Sequence, residues 1–114
     1  MSDNKNSFRI EPATISDVDS IIDFIFKLAK TEQFPYPVTV TRRDLEANLF
    51  GSGSEAKAFL ALDGETVCGF AVIYQTFSTT TGKLGIHLDD LFIGPSFQGK
   101  GYGKKFLSYF AYMA

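Results

Sequence analysis

IGPSFQGKGYGKK, Ile93 to Lys105, sets four glycines and three lysines between an apolar run and a tail with helical periodicity. A strand that ends in a glycine turn and passes into a helix can bind phosphate. The turn aims successive backbone N–H groups into one concavity, and the helix start adds partial positive charge. Two familiar patterns are approached and missed. The nucleotide-hydrolase pattern G-x-x-x-x-G-K-[ST] is followed from Gly94 to Lys100 but fails at Gly101, where a hydroxyl must ligate Mg²⁺. No strand pattern follows to carry a second acidic ligand. The dinucleotide pattern G-x-G-x-x-G is missed because Gly99, Gly101 and Gly103 are spaced by two and two. What remains is Q-x-x-G-x-G, Gln98 to Gly103, a spacing suited to a pyrophosphate. On the loop alone, a glycine-rich turn with solvated lysines is the equal alternative.

Working outward, Leu84 to Ile93 (LGIHLDDLFI) reads as a strand buried on much of both faces with two acids inside it. Strict alternation places Asp89 and Asp90 on opposite faces. Phe106, Leu107, Phe110 and Met113 recur at helical spacing after the loop. Upstream, Ala58 to Leu62, the turn Asp63-Gly64-Glu65 and Thr66 to Phe77 predict a β-hairpin. Phe8-Arg9-Ile10 predicts a short first strand, and residues 1–6 a flexible N-terminus. A helix over 16–32 is signalled by Val18, Ile21, Ile22, Ile25, Leu28 and Ala29, with Thr14/Asp17 or Ser16/Asp19 as its start. The prolines of Phe34-Pro35-Tyr36-Pro37 end it. Thr41 with Asp44 opens a second, short helix that Gly51 closes. The order is β-α-α-β-β-β-α, an α/β (α+β) chain with a mixed central sheet flanked by helices.

At 114 residues with 45% apolar side chains and 12 Phe, the chain suits one globular domain, residues 1–114. A net charge of −2 gives no sign of a nucleic-acid partner. No apolar run approaches the ~20 residues a membrane span needs. A single cysteine, Cys68, and an N-terminus without an apolar signal make the cytoplasm the expected location. Cys68 reads as a small core residue, and His87, without a second His or Cys near it, as a packed strand residue rather than a metal ligand. Tyr109 and Tyr112 read as packing or surface residues. SYFAYMA ends inside an apolar helical pattern with no stop signal, so the chain is expected to be part of a longer domain.

The loop and its context resemble motif A of the GNAT superfamily of N-acetyltransferases, and within it the diamine (spermidine/spermine) and thialysine acetyltransferases. Ile10 to Thr14, Leu28 to Glu32, Val67 to Ala71, Gly82 to Leu84 and Leu88 to Ile93 carry the similarity in order over nearly all of residues 8–114. Gln98 stands where the family usually has Arg, Asp89 where it has Glu, and Thr31 where a Tyr precedes the acid at Glu32.

The resemblance implies acetyl-CoA as cosubstrate, held by Leu91, Phe92, Ile93, Gln98, Gly99, Lys100, Gly101, Tyr102, Gly103 and Lys104. It implies a small cationic primary amine as acceptor, contacted by Thr31, Glu32 and Asp89. Asp89 is the catalytic candidate that receives the amine. Transfer would be direct, in a ternary complex, and a homodimer is the expected assembly. The family's further strand, its helix with a general-acid tyrosine and its final hairpin have no counterpart here.

Overall fold

Thr14 marks where the first helix begins. Its backbone N–H donates to the Asp17 carboxylate at 2.8 Å, so Thr14/Asp17 is the operative pair. A single 3₁₀ turn, Ile15–Asp17, precedes the α-helix Val18–Thr31 (α1). The computed structural model describes residues 8–54 and 56–113. The flexibility expected of residues 1–6 and the packing expected of the Met113 side chain lie outside what is described. A second helix, Arg42–Leu49 (α2), carries the anticipated capping box. The Asp44 N–H donates to the Thr41 hydroxyl at 3.1 Å and the Thr41 N–H to the Asp44 carboxylate at 2.9 Å. Such a cap contributes about 1 kcal/mol. Gly51 ends this helix for a reason the sequence did not reveal. It is not left-handed; a Cβ there would lie 2.3 Å from the Ala47 carbonyl oxygen.

Four strands follow the expected order: Phe8–Pro12 (β1), Ala56–Asp63 (β2), Thr66–Phe77 (β3) and Leu84–Ile93 (β4), with Tyr102–Met113 (α3) last. They form one sheet in the order β1-β2-β3-β4, antiparallel at every pair. The mixed sense anticipated from sequence is absent among the described strands. Two short turns join β2, β3 and β4, which enforces antiparallel pairing. Between β1 and β2 the chain runs out and back through α1 and α2 and returns to the end of the sheet where β1 finished, with Pro12 opposite Phe59 near the start of β2.

The core has two halves. Leu60, Phe70, Val72 and Phe92 meet Ile21 and Phe24 of α1 and Leu49 of α2. Phe59, Ala61, Ala71 and Ile93 meet Tyr102, Phe106 and Phe110 of α3 on the other face. It is therefore β2 and β3 that are buried on both faces. In β4 only Phe92 and Ile93 are fully buried, because β4 lies at the edge of the four-stranded sheet; Ile86, Leu88 and Leu91 are partly buried against the α3-side core. The exposed Phe77 and Leu84 sit where β4 begins.

Phe70 is wholly enclosed and stacks on Phe24 with centroids 5.7 Å apart. Phe70→Ala is expected to cost about 3–5 kcal/mol of folding stability, readable as a lowered urea midpoint; a loss below about 1 kcal/mol would contradict this account of the core.

Candidate functional site: the end of β4 and the start of α3

The β4 ladder runs to the bond from the Gly94 N–H to the Cys68 carbonyl, 2.8 Å. Across the trans peptide this turns the Ile93 carbonyl away from β3, toward the edge of the sheet, where the Gln98 side-chain amide donates to it at 2.9 Å. The intervening Pro95–Phe97 is a 3₁₀ turn. Gln98 thus braces the entrance of the glycine loop. By alternation, the N–H groups of Leu91 and Ile93 also face the outer edge of β4.

Gly99 and Gly101 have φ of 85° and 81°, and a Cβ on either would meet nothing within 4 Å. The glycines are required by conformation and their free side is open. Left-handed residues alternating with others form an anion-binding nest. The first intrahelical bond of α3 runs from the Lys105 N–H to the Gly101 carbonyl at 3.1 Å, so the amides before it have no carbonyl one turn back. Lys100 and Lys104 are exposed beside them, Lys100 lying 5.5 Å from the Phe97 ring centroid. Lys105 is turned away, over the rings of Phe8 and Tyr102. The Tyr102 side chain also leaves the loop. Its hydroxyl donates to the Asp63 carboxylate at 2.7 Å, and that bond, with burial and the Asp63 charge, pushes the phenol up to about 12. Only the Tyr102 backbone remains at the nest.

The acids lie further back along β4. Val72 pairs with Asp90 and Ile73 with Leu88, so Asp89 is an extra, unpaired residue, a β-bulge. Asp90 is on the α1 face, like Val72 and Phe92. The bulge cancels the expected separation of the two acids: the Asp89 carboxylate lies close enough to act on that of Asp90. Asp89 is exposed and Asp90 half-buried, so the acid inside the strand is Asp90. Burial, then the neighbouring Asp89 carboxylate and the charge of Glu32, raise the Asp90 carboxyl above the usual carboxylate range. Strict alternation puts Asp90 on the face away from Asp89; the bulge that brings the two together has no signal in LDD. Glu32 caps the C-terminal end of α1, with Thr31 the helix's last residue; both are exposed.

Phe92 and Ile93 point their side chains into the two halves of the core, leaving only their backbone to a ligand. The Leu91 side chain lies near Gly103, whose Cβ would sit 3.9 Å from it.

A family model described as the acetyltransferase (GNAT) family matches residues 22–113. The chain belongs to that family. This GNAT chain is 29% identical over 116 residues to the thialysine N-epsilon-acetyltransferase of Mus musculus, covering 95% of this chain and 68% of the mouse protein. It is also 29% identical over 107 residues to the human spermidine/spermine N(1)-acetyltransferase-like protein 1, covering 88% of this chain and 15% of that one. Its fold matches the ribosomal-protein-alanine N-acetyltransferase of Brucella melitensis at a TM-score of 0.83 and 18% identity, over 96% of this chain and 72% of that one. By membership the chain is an N-acetyltransferase, with the GNAT α/β fold.

His87 is exposed, its ring 4.7 Å from that of Tyr74, rather than packed in the core. Cys68 is buried as expected; burial, with the Asp63 charge, pushes its thiol up to about 11.

A carboxyl whose folded pKa exceeds its unfolded value destabilises the fold when ionised. The penalty grows as pH rises through that interval and vanishes below it. Asp90→Asn is therefore expected to raise the thermal midpoint at about pH 7 and to change it least at about pH 3, below the ordinary Asp range. An equal gain at both pH values would show that charge is not the cause.

Proposed function

We propose that this chain acetylates a primary amine of a polyamine or a thialysine-like small cation, using acetyl-CoA in a ternary complex. The observation that carries the reading is the nest: two left-handed glycines with open space before them, at the start of a helix whose first amides lack carbonyl partners. That arrangement fits a pyrophosphate. Gly99, Gly101 and Gly103 would receive it through backbone N–H groups, with Lys100 and Lys104 adding charge. The outward N–H groups of Leu91 and Ile93 are suited to hold an extended arm along the β4 edge and to meet carbonyl oxygen charge.

Asp89 and Asp90 stand four and three residues before Ile93, about 10–13 Å along an extended strand. Asp89 is exposed and accepts the ammonium, directly or through water, taking the proton the amine must lose before attack. Asp90 and Glu32 deepen the negative field that favours a cationic acceptor over a neutral one. Acetyl-CoA supplies the thioester: its C–S bond breaks as the amide C–N bond forms, and the departing thiolate takes up a proton. The names of the mouse and human relatives, thialysine and spermidine/spermine acetyltransferases, support an aminoalkyl acceptor.

Calorimetric titration with CoA and steady-state acetylation of thialysine and spermidine test this together. Gly101→Glu, which places a carboxylate and a strained φ in the nest, is expected to weaken CoA by tenfold or more, on the order of the 1–2 kcal/mol such changes carry. Asp89→Asn should leave CoA binding intact and lower kcat/KM for the amine by about 10²–10⁴-fold. CoA binding without turnover on either amine would reduce the chain to a non-catalytic acetyl-CoA-binding or interaction unit. Absence of CoA binding in the parent would remove the phosphate role of the loop.

A further inference from the structure

Tyr102 is flanked by Gly101 and Gly103, so the backbone on either side of it has the least intrinsic preference of any residue. The side chain between them is, by contrast, closely held. Its ring stacks on Phe8 of β1 with centroids 4.2 Å apart, and Phe97 of the 3₁₀ turn lies on a near-parallel plane with its centroid at 6.5 Å. Its hydroxyl donates to Asp63, the last residue of β2, at 2.7 Å. Phe8 and Asp63 are themselves cross-strand partners. One side chain therefore meets both members of a β1–β2 pair, and the turn beyond Asp63 is gripped from β1 by the Arg9 guanidinium, which donates to the Gly64 carbonyl.

The loop thus has two pegs. Gln98 fixes its entrance through the Ile93 carbonyl, and Tyr102 fixes its exit. Between them lie Gly99, Lys100 and Gly101, with the Lys100 ammonium over the Phe97 ring.

We propose that Asp63 and Tyr102 are positioning residues for cosubstrate binding: their bond across the end of the sheet anchors the first residue of α3 and holds the neighbouring glycine amides convergent. Neither side chain touches the cosubstrate. The proposal rests on the reading of the loop as a pyrophosphate site. Without the peg, binding must order the loop itself, and that cost falls on affinity.

Tyr102→Phe keeps the ring and its stacking and removes only the hydroxyl. Asp63→Ala removes the acceptor from the other side, and Asp63→Asn keeps an acceptor oxygen. CoA and pantetheine, which lacks the phosphates, are compared by calorimetry and competition, and KM for acetyl-CoA is measured beside kcat. Tyr102→Phe and Asp63→Ala are each expected to weaken CoA about tenfold, the scale of a lost bond to a charged group, and to leave pantetheine within about twofold. KM for acetyl-CoA should rise with kcat held, and Asp63→Asn should recover most of the loss. Unchanged CoA affinity in both breaking variants, or an equal loss for CoA and pantetheine, overturns the proposal. A parent that binds CoA no more tightly than pantetheine overturns the pyrophosphate reading itself, a separate outcome seen before any variant is made.

Discussion

The bond from the Gly94 amide to the Cys68 carbonyl is the last rung between β3 and β4, and the site is organised by the chain leaving the sheet there. Before it, Phe92 and Ile93 are locked into opposite halves of the core. After it, the chain turns through Pro95–Phe97, is braced by Gln98, and reaches two glycines that face open space. Because β3 is buried on both faces by α1 and α2 on one side and α3 on the other, this exit point is rigid. A loop of left-handed glycines would otherwise sample many conformations, so its direction is set by the packed strand behind it rather than by its own sequence.

The same strand carries the electrostatic half of the site. The bulge at Asp89 costs a ladder rung, and the half-burial of Asp90 beside a second carboxylate and within the field of Glu32 raises the energy of its ionised form. Arrangements of this kind are unfavourable for folding alone, and such conflicts concentrate where a charged ligand offsets them. A cationic amine is the ligand class that would do so.

Much of this was legible in the residues. Glycine spacing located the loop, apolar periodicity the helices, the Thr41/Asp44 pair the start of α2, and Asp63-Gly64-Glu65 the hairpin turn. Three features were not. The bulge depends on how β4 pairs with β3, so no local pattern in LGIHLDDLFI signals it, and strict alternation sent the two acids to opposite faces. The antiparallel sense of the β1–β2 pair follows from two helical traverses between them. The diversion of Tyr102 and Lys105 away from the loop reflects partners nearly forty or a hundred residues distant in sequence, Asp63 and Phe8. Each is a tertiary pairing decision layered on elements the sequence specified well.

The bulge also separates the acid from the fold in terms of parity. Side chains on a strand alternate with a period of two, so inserting or removing one residue normally inverts every side chain beyond it. Asp89 is exempt. With Val72 opposite Asp90 and Ile73 opposite Leu88, taking Asp89 out would join those pairs into a continuous ladder and leave Ile86, Leu88, Leu91 and Ile93 on the α3 face they already occupy. The fold is therefore complete without this residue, and Asp89 is a one-residue insertion into a strand that already pairs and packs on its own terms.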